Sequence, residues 1–141
     1  MSKTNEKYLV AVYGSLREGL HNHRVLKNAD AKKQGSFISE PKFTLIDLGQ
    51  YPGLYEGGVT SIIFEVYEVD DAGLISVNRL EGYTPGSNSN NFYDRITIDT
   101  PYGKAYTYIY QPKPDEPKVV IEGDWKSHVE TKEKLNYEFK S

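Results

Sequence analysis

The 141-residue chain contains no cysteine. That absence removes disulfides, thiolate metal sites and a cysteine nucleophile together, and it fits a reducing compartment. No apolar run approaches the roughly 20 residues that a membrane-spanning helix needs. The opening Met1-Ser2-Lys3-Thr4-Asn5-Glu6-Lys7 is polar and lacks the apolar stretch of a signal peptide. A soluble cytoplasmic protein with no membrane partner is expected. Positive charge is in short supply: 17 Lys and Arg stand against 20 Asp and Glu, a net charge of -3. Nothing in that balance draws the chain to nucleic acid or an anionic surface. Internal repeats and low-complexity tracts are missing too. Tryptophan occurs once and phenylalanine five times, but tyrosine occurs 12 times. A tyrosine has an apolar body and a polar tip, so so many of them suit half-buried sheet faces or a pocket.

The length suits a single domain over residues 1–141, with residues 1–7 as a flexible start and 124–141 as a C-terminal extension. Tyr8 to Tyr13 is a nearly continuous apolar run, which predicts a buried strand that Gly14 stops. Asn22 to Asn28 predicts a short helix with Asn22 as its cap and Val25 and Leu26 facing inward. Strands are expected over Ser36 to Glu40 and Phe43 to Leu48. Gly49 to Gly58, with its glycines and Pro52, reads as a loop. Alternation makes Thr60 to Val69 the strongest strand. Asp70 or Asp71 then caps a helix with Leu74, Val77 and Leu80 on one stripe, ended by Gly82. Pro85 to Asn91 reads as a polar loop. Phe92 to Asp99 and Lys104 to Tyr110 form a hairpin, and Pro112, Pro114 and Pro117 an extended connector. Asp124 to Phe139 has weak helical character. Mostly consecutive strands favour a small antiparallel or mixed barrel with a few helices, an α+β architecture, over a wound parallel sheet.

Two places carry candidate chemistry. Glu81 falls at the end of a helix, where the dipole and partial burial would both raise its proton affinity and make it a competent general base. On pattern alone it reads first as an exposed helix-end carboxylate. Tyr13-Gly14-Ser15-Leu16 is a strand followed by a sharp turn, whose backbone N–H groups can form a nest for an anion. It also reads as an ordinary strand end. Gly14 to Gly19 has the spacing of a phosphate loop, but Leu20-His21 stands where Lys and Ser/Thr are needed. Ser15 lacks the surroundings of a hydrolase elbow. His21 and His23 have no third partner for a metal. The four arginines, Arg17, Arg24, Arg79 and Arg95, read first as salt-bridge partners and second as carboxylate binders.

In order along the chain stand Tyr13-Gly14-Ser15-Leu16, Asn22-His23-Arg24-Val25-Leu26, Tyr51-Pro52-Gly53-Leu54, Glu65-Val66-Tyr67-Glu68-Val69, Leu80-Glu81-Gly82-Tyr83, Tyr93-Asp94-Arg95 and Gly123-Asp124-Trp125. With these segments the sequence resembles the γ-glutamylcyclotransferase-like family, which includes plant avirulence-induced proteins. Asn22 to Leu26 looks closest to the γ-glutamylamine branch. The resemblance implies a small mixed β-barrel with flanking helices, Glu81 as catalytic acid/base, and Tyr13, Gly14, Ser15, Leu16 and Tyr93 as substrate-binding residues. It implies a small-molecule γ-glutamyl substrate, release of 5-oxoproline with a free amine or amino acid, and no metal or other cofactor. Two positions depart from the family pattern. Phe64 replaces a usual glycine and is expected to narrow the barrel or pocket. Asn78 replaces a common aspartate and is expected to touch helix geometry more than chemistry. Two rival classes remain: a non-catalytic module binding a small carboxylate ligand, and a protein-interaction domain using the tyrosine-rich surface and charged tail.

Overall fold

The computed structural model describes residues 6–83 and 92–140. The expected loop from Pro85 to Asn91 and most of the expected flexible start lie outside them. Eleven elements run in order: β1 Tyr8–Val12, α1 His23–Asn28, β2 Lys32–Ile38, β3 Phe43–Asp47, β4 Pro52–Glu56, β5 Ile63–Val69, α2 Asp71–Leu80, β6 Tyr93–Thr100, β7 Gly103–Tyr110, β8 Lys118–Val119 and α3 Trp125–Lys140. Five strands form one sheet in the order β2-β5-β1-β7-β6, and three form a second in the order β4-β3-β8. All pairings are antiparallel except that of β1 with β7, which is parallel. The α+β class is as expected. The barrel takes the form of two sheets around one core; among the described strands the hydrogen-bonding ladder does not close.

The continuous apolar run of β1 has its cause in burial on both faces. Ala11 and Tyr13 point into a core between the sheets with Leu45, Leu54, Phe64 and Trp125. Val10 and Val12 point the other way, into a second core with Leu26 of α1 and Leu74 and Val77 of α2. β5 is divided in the same way, with Phe64 and Val66 in the first core and Tyr67 and Val69 in the second. The segment read as a loop from Gly49 to Gly58 holds a strand, β4, paired residue for residue with β3 from Phe43↔Glu56 to Asp47↔Pro52. Proline is admissible there because it is the strand's first residue. Gly53 is demanded by packing: a Cβ on it would lie 3.0 Å from the Tyr110 side chain.

α2 is closed at both ends by the residues expected. Asp70 accepts a hydrogen bond from the Gly73 N–H at 2.8 Å. Past the helix, Gly82 adopts φ +68°, its N–H donates to Arg79 O, and the Tyr83 N–H reaches back to Asn78 O. This is a Schellman motif, and it fixes Glu81 as the C-cap that directly follows the last helical residue, Leu80. Its apolar stripe is shorter than the sequence suggests. Leu74 and Val77 are buried, but Leu80 is 39% exposed and Asn78 occupies the buried position beside Val77.

Candidate active site

A cavity of about 400 Å³ opens where the end of β1, the end of α2, the start of β4 and the strands β6 and β7 converge. Glu81, Tyr13, Gly14, Ser15, Leu16 and Tyr93 all line it, so the structure gathers every predicted site residue into one space. Glu81 is half-buried, and burial pushes its carboxyl up to about 7. The helix dipole invoked for it above is not needed: removal from water accounts for the rise. Among the described residues no ion pair or side-chain hydrogen bond engages that carboxyl.

The turn from Gly14 to Leu16 is held from several sides. Arg17 N–H donates to Gly14 O at 2.9 Å, Asn22 N–H to Ser15 O at 3.0 Å, and His23 Nδ1 lies 2.9 Å from Leu16 O. The carbonyls are thus tied down. Among the described residues the N–H groups of Gly14, Ser15 and Leu16 have no intramolecular acceptor. Gly14 does not owe its place to a left-handed backbone, contrary to the nest argument: it is absent from the positive-φ glycines. What it supplies is room, since a Cβ there would meet Pro52 Cγ at 2.7 Å. Asn22 does not cap α1 with its side chain. Its Nδ2 donates to Ser15 Oγ at 2.8 Å instead, which leaves the Ser15 hydroxyl proton free to point into the cavity.

Behind the turn, Arg17 is buried. Its Nε meets Glu65 Oε2 at 2.9 Å and its Nη1 meets Asp124 Oδ1 at 2.8 Å. The Glu18 N–H and the Tyr67 hydroxyl complete the shell around Glu65. Burial alone would raise that carboxyl, but these donors outweigh it and hold Glu65 below the usual carboxylate range. Arg17 is therefore a structural anchor for the turn, as first read.

The tyrosines are oriented by their hydroxyls. Tyr13 donates to Tyr108 O at 2.6 Å and packs edge-on against Phe64, with ring centroids 6.0 Å apart. Tyr93 donates to Pro52 O at 2.7 Å. Burial, together with the nearby Glu81 carboxylate, raises the hydroxyls of Tyr13, Tyr93 and Tyr108 well above the ordinary tyrosine value. They stay protonated and present ring faces to the cavity. Tyr108 was not foreseen; its hydroxyl donates to Asn78 Oδ1. Arg95 Nη1 reaches the same oxygen at 3.4 Å. Asn78 therefore holds two groups behind the cavity, a more chemical role than helix geometry. Phe64 does not narrow the cavity. It fills the core between the sheets and packs against the Tyr13 ring that lines the site.

Asn22, Tyr51, Pro52, Leu80 and Phe92 also line the cavity, and sequence reasoning gave none of them a role there. Asn22, Tyr51, Pro52 and Leu80 were visible as members of the ordered segments. His21 is exposed, and among the described residues no group of three His, Asp or Glu side chains is placed to hold a metal. No helix among those residues is long and apolar enough to cross a membrane.

The family model described as gamma-glutamyl cyclotransferase, AIG2-like, matches residues 10–127. A putative gamma-glutamylcyclotransferase of Vibrio cholerae is 40% identical over 119 residues, covering 84% of this chain and 96% of its own. The gamma-glutamylcyclotransferase family protein YtfP of Escherichia coli is 39% identical over 116 residues, covering 82% and 94%. The crystal structure of an uncharacterized protein from Pyrococcus horikoshii superposes with a TM-score of 0.70 at 28% identity, covering 89% of this chain and 97% of that one. The chain is thus an enzyme-type member of the gamma-glutamyl cyclotransferase, AIG2-like family, with the general cyclotransferase activity of that family.

Proposed function

We propose that the protein releases 5-oxoproline and a free amine or amino acid from γ-glutamyl amines or peptides, with Glu81 as general acid/base. One observation carries this reading. A carboxyl raised to about 7 lines the same cavity as three backbone N–H groups without intramolecular acceptors. A group poised near neutrality can both take and return a proton. Unpaired donors fixed by a braced turn are suited to an oxygen on which charge develops.

The γ-carbonyl oxygen of the substrate sits on the N–H groups of Gly14 to Leu16, with the Ser15 hydroxyl as an added donor. The rings of Tyr13 and Tyr93 wall the glutamyl chain. Glu81 takes a proton from the α-ammonium, and the freed amine attacks the γ-carbonyl carbon. A tetrahedral oxyanion forms against the turn. Collapse breaks the bond to the leaving nitrogen, which receives the proton from Glu81. The ring nitrogen, which carries two hydrogens after the attack, gives up its second proton through Glu81 to the departing amine, so that a neutral five-membered lactam and an ammonium are the products. The attack is intramolecular, so holding the chain folded contributes much of the acceleration. This sequence of proton transfers needs no cofactor.

Glu81→Gln keeps the shape of the side chain and removes its basicity. Loss of a general base typically lowers rates by about 10²–10⁴-fold, and 5-oxoproline release from a panel of γ-glutamyl compounds should fall by that much. Calorimetric binding of the same compounds should persist. Full turnover in Glu81→Gln would overturn the mechanism. Binding without turnover in the wild type would favour the non-catalytic module.

A further inference from the structure

The cavity has a buried floor and an exposed rim of a different character. Tyr13, Leu16, Pro52, Tyr93 and Tyr108 are buried, whereas three apolar side chains of the lining stay in solvent: Tyr51 at 49%, Leu80 at 39% and Phe92 at 67%. Large apolar groups left exposed around one opening mark a surface that something apolar covers. Leu80 immediately precedes Glu81 at the end of α2, and both line the cavity together with Tyr51 and Phe92. Resting on the cyclotransferase reading, in which the glutamyl part fills the floor and Glu81 protonates the departing nitrogen, the departing group must extend across this rim.

Charge narrows the occupant further. Glu81 is the one ionisable carboxyl or cation in the described lining. Among the described residues no lysine or arginine lines the cavity to receive a carboxylate on the departing group. Arg95, the arginine behind the site, is already engaged. Its guanidinium lies 4.9 Å from the Tyr83 ring centroid and 4.1 Å from that of Tyr106, and it also donates to Asn78. A carboxylate next to the scissile nitrogen would meet Glu81 in its charged form with no cation among the described lining residues to offset the repulsion.

We infer that the preferred substrates are γ-glutamyl conjugates of uncharged apolar or aromatic primary amines, with Tyr51, Leu80 and Phe92 as the specificity surface for the amine. γ-Glutamyl amino acids, which bear a carboxylate beside the scissile nitrogen, and the ε-lysine conjugate, whose far end is a zwitterion, are poorer substrates. The ring of the amine covers the rim as it binds, and the same contacts persist until the amine departs.

The test uses four synthetic compounds with the wild-type protein and Phe92→Ala: γ-glutamyl benzylamide, γ-glutamyl methylamide, γ-glutamyl phenylalanine and ε-(γ-glutamyl)lysine. The readout is kcat/KM for 5-oxoproline formation. The benzylamide is expected to exceed the phenylalanine and lysine conjugates by about tenfold or more, the scale of one uncompensated charged group at the site, because the ring itself is common to the benzylamide and the phenylalanine conjugate. Phe92→Ala should lower the benzylamide value several-fold more than the methylamide value. Equal or better turnover of the charged conjugates, or a Phe92→Ala loss that is uniform across all four, overturns the inference while the cyclotransferase reading stands. Absence of 5-oxoproline from all four refutes that reading and the inference with it.

Discussion

At Gly14 a single hydrogen atom in place of a methyl group keeps the turn and strand β4 in contact. The Cβ of Gly14→Ala would lie 2.7 Å and 2.8 Å from Pro52 Cγ and Cδ. Pro52 cannot swing away, because its ring is locked into the backbone and its carbonyl accepts the Tyr93 hydroxyl. Either the turn or the β4 end of the cavity wall must therefore move. Overpacking of this kind costs about 1–3 kcal/mol. The displaced atoms are the N–H groups proposed to hold the oxyanion, so 5-oxoproline formation should fall by more than tenfold, the range set by losing one such donor. Gly14→Val should be worse in both respects. Ser15→Ala is the contrasting case. It removes one hydroxyl and the Asn22 contact at 2.8 Å but leaves all three backbone donors, so its loss should be well below that of Gly14→Ala. Steady-state rates alongside thermal melts check the order. A Ser15→Ala protein without turnover, together with a covalent adduct on Ser15 in the wild type, would point to a nucleophilic mechanism instead.

Among the elements, the turn after β1 is braced by Arg17, which joins it to β5 through Glu65 and to the start of α3 through Asp124. Arg17→Ala would strand the buried Glu65 carboxylate, and removing one partner of a buried pair costs about 3–5 kcal/mol. Chemical denaturation should show that loss; a change below about 1 kcal/mol would mean that water takes over the role of the guanidinium. This brace also shows what could be read in the sequence. β1 was legible because burial on both faces writes a continuous apolar signal, and β5 because its residues alternate. α2 was legible because Asp70 and Gly82 are local end signals. β4 was not, since Pro52 and Gly53 serve tertiary contacts with Gly14 and Tyr110 while carrying the local signature of a loop. β8, two residues long, has no local signal at all. The same division runs through the site. Glu81 and the turn stand in short recognisable segments. Asn78 meets Tyr108 only through the packing of α2 on the sheet, a contact spanning 30 residues that no local pattern encodes.

For the molecule as a whole, Glu81 sets stability against activity. Its carboxyl rises from an ordinary 4.5 to about 7 on folding, so between those values the native state holds more protons than the unfolded chain. The stabilisation from that raised value is complete below 4.5, declines as pH climbs and is gone above about 7. Glu65, Asp47 and Asp124 work in the opposite sense. Burial would raise them, but hydrogen bonds and cations hold all three below their ordinary values. Their stabilisation is complete above the ordinary carboxylate range and lost only as pH falls through the lowered values. The two sets together place maximal stability on the acid side of neutrality, near pH 5. Catalysis needs Glu81 ionised, so the rate should climb with pH through about 7, where stability is already reduced. At about 1.4 kcal/mol per unit of displacement, the Glu81 contribution is at most about 3.5 kcal/mol, enough to move a melting temperature by several degrees in a domain of this size. Melting of wild type and Glu81→Gln at pH 5 and pH 8 isolates the effect, because every other titrating group is common to both. The wild type should lose several degrees more than the variant between the two pH values, while its 5-oxoproline rate increases over the same interval. Parallel melting curves would mean that the carboxyl titrates as an ordinary surface glutamate, and the assignment of Glu81 as a base poised near neutrality would fall.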